Sequence, residues 1–205
     1  MERTPLRLRL VGIGAMASPR FAPAGLVIEG HAGVVLLDGG PESAPPARAA
    51  PLAAWLVTDV HAELIAGIRR AARKTGLTPR VAEYAAGGLL VEPLPVQHTS
   101  HPTWGYRIRW AGRTAVWAPE FATFPAWAAG ADLMFADAAG WSRPIRFRGG
   151  VGGHAAVLDT ARAARDARVG RLVFAHLGRP TIRALDAGDS PPFGEIGIEG
   201  ADYEL

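Results

Sequence analysis

The sequence contains no cysteine, and this absence excludes several kinds of chemistry. A chain without cysteine forms no disulfide, offers no thiolate nucleophile and builds no zinc–thiolate site. Any metal ion would therefore be held by histidine, aspartate, glutamate or water. With no disulfide framework to indicate an oxidising compartment, we expect the protein in the cytoplasm.

Long apolar runs are absent as well. No segment approaches the length of a membrane span, and the N-terminal MERTPLRLRLVGIG lacks the apolar core and cleavage site of a signal peptide. The 205 residues are 49% hydrophobic and 20% charged, which is typical of a soluble globular protein with a real core. We therefore expect one domain over 1–205 and no membrane partner. The sequence does not indicate an oligomeric state.

Lysine is nearly missing, because Lys74 is the only one, so the net charge of +3 depends on arginine. Arginine keeps its charge and binds phosphate or carboxylate through two parallel hydrogen bonds. This surplus is compatible with a small anionic substrate. The arginines are spread along the chain rather than clustered, which does not favour nucleic acid as a partner.

The order of predicted elements indicates an α/β fold. The first third contains alternating segments such as LRLRLV and turn clusters such as Asp38-Gly39-Gly40, which are typical of strands joined by tight turns. The order strand-rich, helix, strand-rich, helix, strand predicts a sandwich of mixed sheets with helices outside. Predicted strands cover 6–11, 25–29, 33–37, 53–57, 80–82, 89–95, 105–110, 114–117, 132–135 and 171–175. The first predicted helix carries Leu64 and Ile68 on one face and ends at Gly76, and further helices are predicted over 121–129 and 155–168. Residues 41–51 are a predicted loop and 183–205 a predicted irregular tail.

The stretch VTDVHAELIAG, residues 57–67, places polar side chains at a corner between a strand and a helix. Asp59, His61 and Glu63 are ligand types at alternate positions and could hold a metal ion. The two carboxylates also suit a helix start, Asp59 as the N-cap and Glu63 in the positive first turn. From the residues alone both interpretations stay open.

Further ligand-type side chains follow other predicted strands or begin the last predicted helix. Element ends are where folded scaffolds usually present their chemistry, so these side chains are candidates for a functional site. His31, in a hairpin turn, is expected to be simply exposed. The candidates are His98, His101, Glu120, His154 and His176.

Together these segments resemble the metallo-β-lactamase-fold hydrolases. That family's motif, Thr-His-x-His-x-Asp-His-x-x-Gly, lies at a strand-to-helix corner, and TDVHAELIAG occupies its register. LLDGG is similar to the early Asp-Gly turn, PVQHTSHPTWGYRI to the third-ligand segment, and AVWAPEF to the strand that carries the metal-bridging Asp. GHAAVLDTARAARDARVGRLVFAHLGRP resembles the last helix and strand. The likeness runs from about Leu6 to Pro180 and is closest to phosphodiesterases and RNase Z-like nucleases.

The resemblance implies an αββα sandwich of two mixed β-sheets with outer helices, and a metal site. One divalent ion, zinc with manganese or iron as alternatives, would bind Asp59, His61 and His98, with His101 the second choice for the last position. Leu64 replaces the motif's final histidine and cannot bind metal, so a standard metal pair is not implied. The full set of implied ligands is Asp59, His61, Glu63, His98, Glu120 and His176.

The same resemblance implies hydrolysis. A metal-bound hydroxide would attack an ester or phosphodiester, Glu120 or Glu63 would orient it or take its proton, and His154 would protonate the leaving group. The Gly-rich loop 140–153 carries three arginines that would hold an anionic group. These are Arg143, Arg146 and Arg148.

A second hypothesis is a divergent member that has lost hydrolysis and serves as a ligand-binding or interaction module, with Leu64 marking the lost site. A di-iron oxidoreductase is disfavoured, because the ligand set is too depleted to hold two irons. Convergence of the predicted ligands in one cleft is the feature that distinguishes the first two hypotheses. Polar groups that converge there would be costly to bury unless they were paired or bound to something.

Overall fold

Two mixed β-sheets form the framework of the protein. The computed structural model describes residues 5–31, 33–41, 43 and 51–205, so the predicted loop over 41–51 lies largely outside the described residues. Its strands are β1 (Arg7–Gly12), β2 (Gly25–Gly30), β3 (Gly33–Asp38), β4 (Leu52–Leu56), β5 (Tyr84–Ala86), β6 (Leu89–Val96), β7 (Thr103–Trp110), β8 (Arg113–Ala118), β9 (Leu133–Ala138), β10 (Ile145–Arg146), β11 (Gly153–His154), β12 (Arg171–Leu177), β13 (Glu195–Ile196) and β14 (Asp202–Glu204). Its α-helices are α1 (Ile65–Ala72), α2 (Val157–Asp166) and α3 (Arg179–Asp186).

The first sheet has the strand order β14-β1-β2-β3-β4, and the second has the order β13-β12-β9-β8-β7-β6-β5. In the first sheet only the β3–β4 pair is parallel. In the second sheet β8, β9, β12 and β13 run parallel, and β5, β6 and β7 pair antiparallel. Both sheets are therefore mixed, as predicted.

The inner strands β2 and β3 of the first sheet are apolar on both faces because each face packs against a different layer. In β2, Leu26 and Ile28 belong to the main core between the sheets, whereas Val27 belongs to a separate cluster beneath α1. Trp55 of β4 and Ile68 of α1 complete that cluster. On the second sheet, α2 packs on β9 and β12. The predicted αββα sandwich is confirmed.

Two predicted elements are wrong. Residues 80–82 form no strand, and Arg80 makes only an isolated bridge to Leu56. Residues 121–129 contain a single 3-10 turn, Ala126–Ala128, instead of a helix. Pro125 explains this difference, since proline disfavours the helical conformation of the residue before it.

The C-terminal segment 183–205 is not the irregular tail that the sequence predicted. It begins inside α3, and its two short strands join different sheets, β13 beside β12 and β14 beside β1. Tyr203 and Leu205 are buried in the main core. Strands of two and three residues are too short to show a period, which is why the pattern missed them.

None of the helices in the described part of the chain is long and apolar enough to cross a membrane.

Candidate active site

The site lies where three parallel strands end. β8, β9 and β12 are neighbours and run in the same direction, so their carboxyl ends meet at one edge of the sheet. Glu120 follows β8, Asp137 is the penultimate residue of β9, and His176 is the penultimate residue of β12. Glu120 and His176 line a cavity of about 520 Å³, the main cavity.

A bulge in β12 directs His176 into the main cavity. Ala175 pairs with Asp137 and Leu177 pairs with Ala138, so His176 is an extra residue between two consecutive partners. Its φ of 63° lies in the left-handed region, which is unfavourable for a residue other than glycine. Bulges bend a strand and re-aim a side chain, and here the result is a histidine that is only 7% exposed and lines the cavity.

Glu120 lies between two histidines. Its Oε2 is 3.5 Å from Nε2 of His98 and its Oε1 is 3.2 Å from Nε2 of His176. The Nδ1–H of His98 donates to the carbonyl oxygen of Gly153 at 3.0 Å, so a neutral His98 presents a lone pair to the carboxyl group. Burial raises the pKa of Glu120, although the charges of His98 and His154 oppose this.

Burial also acts on His176. It lowers the pKa of that imidazole to about 4, although the charge of Asp137 opposes the change. His176 is therefore neutral near pH 7.

Asp137 orients His154. Its Oδ1 accepts the backbone N–H of Ala139 at 2.9 Å, and its Oδ2 accepts the backbone N–H of Phe121 at 3.0 Å and Nδ1–H of His154 at 2.8 Å. Burial lowers the pKa of His154, but the charge and hydrogen bond of Asp137 outweigh that effect, and the pKa is raised overall. The imidazole stacks on His176 with ring centres 5.3 Å apart. With Nδ1 fixed, Nε2 is the free nitrogen of His154, which lines the main cavity.

Sequence reasoning missed Asp137, because the predicted strand stopped at Phe135 and the real one continues to Ala138. The signal was present in the sequence. A single carboxylate in the apolar run LMFADAA has to be paired when it is buried, and Asp137 has no exposed surface.

The motif loop does not cap helix α1 in the way that the sequence predicted. Helix α1 begins at Ile65 with Leu64 as its N-cap and has no side-chain cap and no acidic residue in its first turn, so the capping roles of Asp59 and Glu63 were wrong. Instead, Oδ1 of Asp59 accepts the backbone N–H of His61 at 2.7 Å, within the loop. Its Oδ2 lies 2.8 Å from Nε2 of His101.

Asp38 holds this loop against the rest of the site. Its carboxylate accepts the backbone N–H and the hydroxyl of Thr58, at 2.7 and 3.0 Å, and Nε1–H of Trp117 at 2.7 Å. These bonds join the end of β3 to the motif loop and to β8. Burial raises the pKa of Asp38 to about 7, although the three hydrogen bonds favour the ionised form.

The predicted metal ligands converge, but they do not form a metal site as arranged. All six line the main cavity, with His61 and Glu63 exposed on its rim. Both oxygens of Asp59 are already bonded, and Glu120 meets His98 and His176 with different oxygens, so no point is shared by three ligands. Across the described residues, no group of three or more His, Asp or Glu side chains is placed to hold a metal ion.

The loop arginines face away from the main cavity. Arg143, Arg146 and Arg148 are exposed, and none of them is among the residues that line it. The same loop contributes Ile145 and Phe147 to the wall instead. The arginine that does line the cavity is Arg179, at the start of α3, a residue that the sequence did not single out.

Comparison with known proteins assigns the family. Residues 41–177, more than half of the chain, match the model of the β-lactamase superfamily domain. No curated protein sequence matches the chain.

Similar solved structures share the fold at low sequence identity. They include the metallo-β-lactamase fold protein YhfI from Bacillus subtilis, 16% identical with a TM-score of 0.71 over 98% of this chain and 100% of that one. A diphosphatase from the PhnP family is 16% identical with a TM-score of 0.73 over 98% of both chains. Zn²⁺-bound PqqB from Methylobacterium extorquens is 15% identical with a TM-score of 0.69 over 97% of this chain and 100% of that one. The chain therefore belongs to the β-lactamase superfamily and has the metallo-β-lactamase fold.

Proposed function

We propose that this protein is a hydrolase that cleaves a small ester or phosphodiester in the main cavity. The observation that carries the proposal is the pair formed by His154 and the buried Asp137, beside Glu120. Burial raises the pKa of Glu120, and the charge and hydrogen bond of Asp137 raise the pKa of His154 against the effect of its burial. Both changes bring a carboxyl group and an imidazole closer to the range useful for proton transfer at neutral pH. The diphosphatase of similar fold supports hydrolysis as the reaction class.

The residues divide the proton transfers between them. A water molecule attacks the carbonyl carbon or phosphorus, and the proton it loses passes to the carboxylate of Glu120. The bond to the leaving oxygen then breaks, and that oxygen takes a proton from Nε2 of His154. The products are an acid and an alcohol, and the proton on Glu120 returns to His154 through solvent. Asp137 touches no substrate and acts as a positioning residue, because it fixes the tautomer and orientation of His154.

Binding of an anionic group falls to Arg179, which is the fixed positive charge on the cavity wall. Asp59, Glu63 and Glu120 line the same wall, so a substrate with one negative charge suits the cavity better than a polyanion such as nucleic acid.

No step of this reaction depends on a metal ion, because the side chains of the described residues provide no set of three ligands as arranged. The resemblance implies one zinc, manganese or iron ion, and the similar PqqB structure is bound to zinc. Such an ion would lower the pKa of bound water. That this protein binds such an ion is a prediction, and measuring its metal content tests both the presence and the identity of the ion.

The test compares the parent protein with Glu120→Gln and His154→Gln, with His31→Gln as a matched control on the exposed hairpin turn. We expect each site variant to lose at least about 100-fold in kcat/KM on p-nitrophenyl esters or bis-p-nitrophenyl phosphate, and His31→Gln to match the parent. Each protein is assayed after chelation and after addition of Zn²⁺, Mn²⁺ or Fe²⁺, and its metal content is measured by elemental mass spectrometry. Unchanged turnover in both site variants would refute the assigned roles.

Two observations favour a second candidate, a binding module without catalysis. Leu64 stands where the family motif carries a histidine, and no described group of three side chains is placed for a metal. That protein would hydrolyse none of the substrates under any metal condition. It would still be stabilised by a small anionic ligand, measured as a rise in Tm that depends on ligand concentration and disappears in Arg179→Gln.

A further inference from the structure

A small recess opens beside Glu120 and His176. It has a volume of about 60 Å³, and besides the two site residues it shares Met16, Asp59, Ala62 and Glu63 with the main cavity. We call it the Leu64 recess. Its apolar walls come from Ala24, Val57, Leu64, Ile68 and Pro119.

Several polar groups that line the Leu64 recess already have hydrogen-bond partners. Asp38 accepts hydrogen bonds from Thr58 and Trp117, and both oxygens of Asp59 are taken by His61 and His101. The groups left to meet a ligand are Glu120 and His176 at the end that opens on the main cavity, and the exposed Glu63. The rest of the lining consists of apolar side chains and glycines.

Size limits what the Leu64 recess can hold. A dry apolar cavity of about 150 Å³ accepts benzene, so the 60 Å³ found here suits a short alkyl group rather than a ring. Leu64 controls that volume, because its side chain forms part of the wall at the start of α1. A histidine at this position would put a polar nitrogen into the recess, whereas leucine makes it apolar.

We propose that the Leu64 recess binds a short aliphatic group of two or three carbons on the acyl side of the ester, and that Leu64 sets the length of the group that fits. This inference rests on the proposed function. Glu120 and His176 lie at its mouth, so a group seated there places the adjacent ester carbonyl beside the proton-transfer residues.

The first experiment measures kcat/KM for p-nitrophenyl acetate, propionate, butyrate, hexanoate and octanoate. In the parent we expect a rise of roughly fourfold for each added CH₂ up to butyrate, followed by a fall of tenfold or more at hexanoate. Leu64→Ala enlarges the recess and moves the optimum to hexanoate, whereas Leu64→Phe fills it and moves the optimum to acetate. Leu77→Ala is the matched control, because Leu77 packs against the same cluster beneath α1 but lines neither cavity, and it should keep the parent profile.

The second experiment measures binding without turnover. Butyramide and hexanamide, which are neutral, are titrated against the parent and Leu64→Phe while the methyl resonance of Met16 is followed by NMR. We expect butyramide to bind the parent at least tenfold more tightly than Leu64→Phe.

The outcomes separate this inference from the proposed function. Ester hydrolysis with a chain-length profile unchanged in both Leu64 variants overturns the recess assignment and leaves the hydrolase standing. No hydrolysis together with butyramide binding that Leu64→Phe weakens overturns the hydrolase and supports the recess. No length preference and no butyramide binding overturns the recess assignment.

Discussion

Asp137 illustrates how much a single buried side chain determines in this site. It satisfies the backbone N–H groups of Phe121 and Ala139 and holds His154, so it joins the loop after β8, the end of β9 and the cavity wall. A buried donor that loses its acceptor costs about 1–3 kcal/mol. Asp137 is therefore a structural residue and a positioning residue at once.

We expect Asp137→Ala to lower the free energy of unfolding by about 3 kcal/mol or more, because two buried N–H groups lose their acceptor. Asp132→Ala, at the residue directly before the same strand, is the control, since Asp132 also accepts a backbone N–H, from Thr114, but its side chain is 37% exposed. There the expected loss is about 1 kcal/mol. Urea denaturation measures both, and equal losses would contradict the role assigned to burial.

Asp38 makes stability depend on pH. Its pKa is raised from 3.8 to about 7, so between those values the folded state keeps a proton that the unfolded state has released. This contribution therefore makes the protein less stable as pH rises through that window, by about 1.4 kcal/mol per pH unit and about 4 kcal/mol at most.

Asp38→Asn removes this titration. Parent and variant are unfolded in urea at pH 5 and at pH 7.5, and the parent should lose more stability than the variant between the two values. His176 has a lowered pKa, so its own effect on stability has the opposite sign to that of Asp38. That effect is the same in parent and variant, so the difference between the two proteins reports Asp38. A difference between parent and variant that stays constant with pH would show that Asp38 does not titrate in this range.

At the scale of elements, the bulge in β12 illustrates local strain beside a functional site. His176 adopts a left-handed conformation in an otherwise extended strand. A residue with a Cβ pays about 1 kcal/mol for that conformation, whereas glycine adopts it freely. The strand nevertheless keeps histidine there, which is consistent with a role in the site.

We therefore expect His176→Gly to be more stable than His176→Ala by about 1 kcal/mol. The control pair is Val173→Gly and Val173→Ala in the same strand, where the backbone is extended and glycine should be the less stable of the two by about 0.5–1 kcal/mol. Urea denaturation of the four variants gives both differences. The same order at both positions would argue against strain at His176.

Element patterns predicted much of this architecture. The alternation in β1 and the apolar runs of β3 and β12 were sufficient to place those strands. The helical region that begins with α1 ends at Gly76, as predicted, and Gly76 has the left-handed conformation that is common at helix ends. The start of α1 was missed because Asp59 looks like an N-cap in sequence, yet its carboxylate turns back onto its own loop. Competition between local side-chain bonds and helix capping is not visible in a linear pattern.

At the scale of the whole molecule, the C-terminal segment completes the first sheet. β14 pairs with β1, Arg9 binds Asp202 through two hydrogen bonds, and Tyr203 packs edge-on against Phe135 in the main core. The last residues of the chain thus stabilise the first strand.

We expect Tyr203→Ala to lower the free energy of unfolding by about 3 kcal/mol, because it leaves a cavity in the core. Ile198→Ala, at a side chain that is 67% exposed, should change it by less than about 0.5 kcal/mol. Thermal and urea denaturation measure both variants. Similar effects from the two would mean that the segment does not pack as described.

By itself, the sequence determined the fold class, the sandwich architecture and the strand ends that carry the polar side chains. These depend on residue type and short-range periodicity, which are local properties of the chain. Only the tertiary structure decided that Asp59 pairs with His101, that Asp137 holds His154, and that Leu64 lines a recess beside Glu120. Those partners lie 17 to 56 residues apart in sequence and meet only when the sheets assemble, which no local pattern encodes.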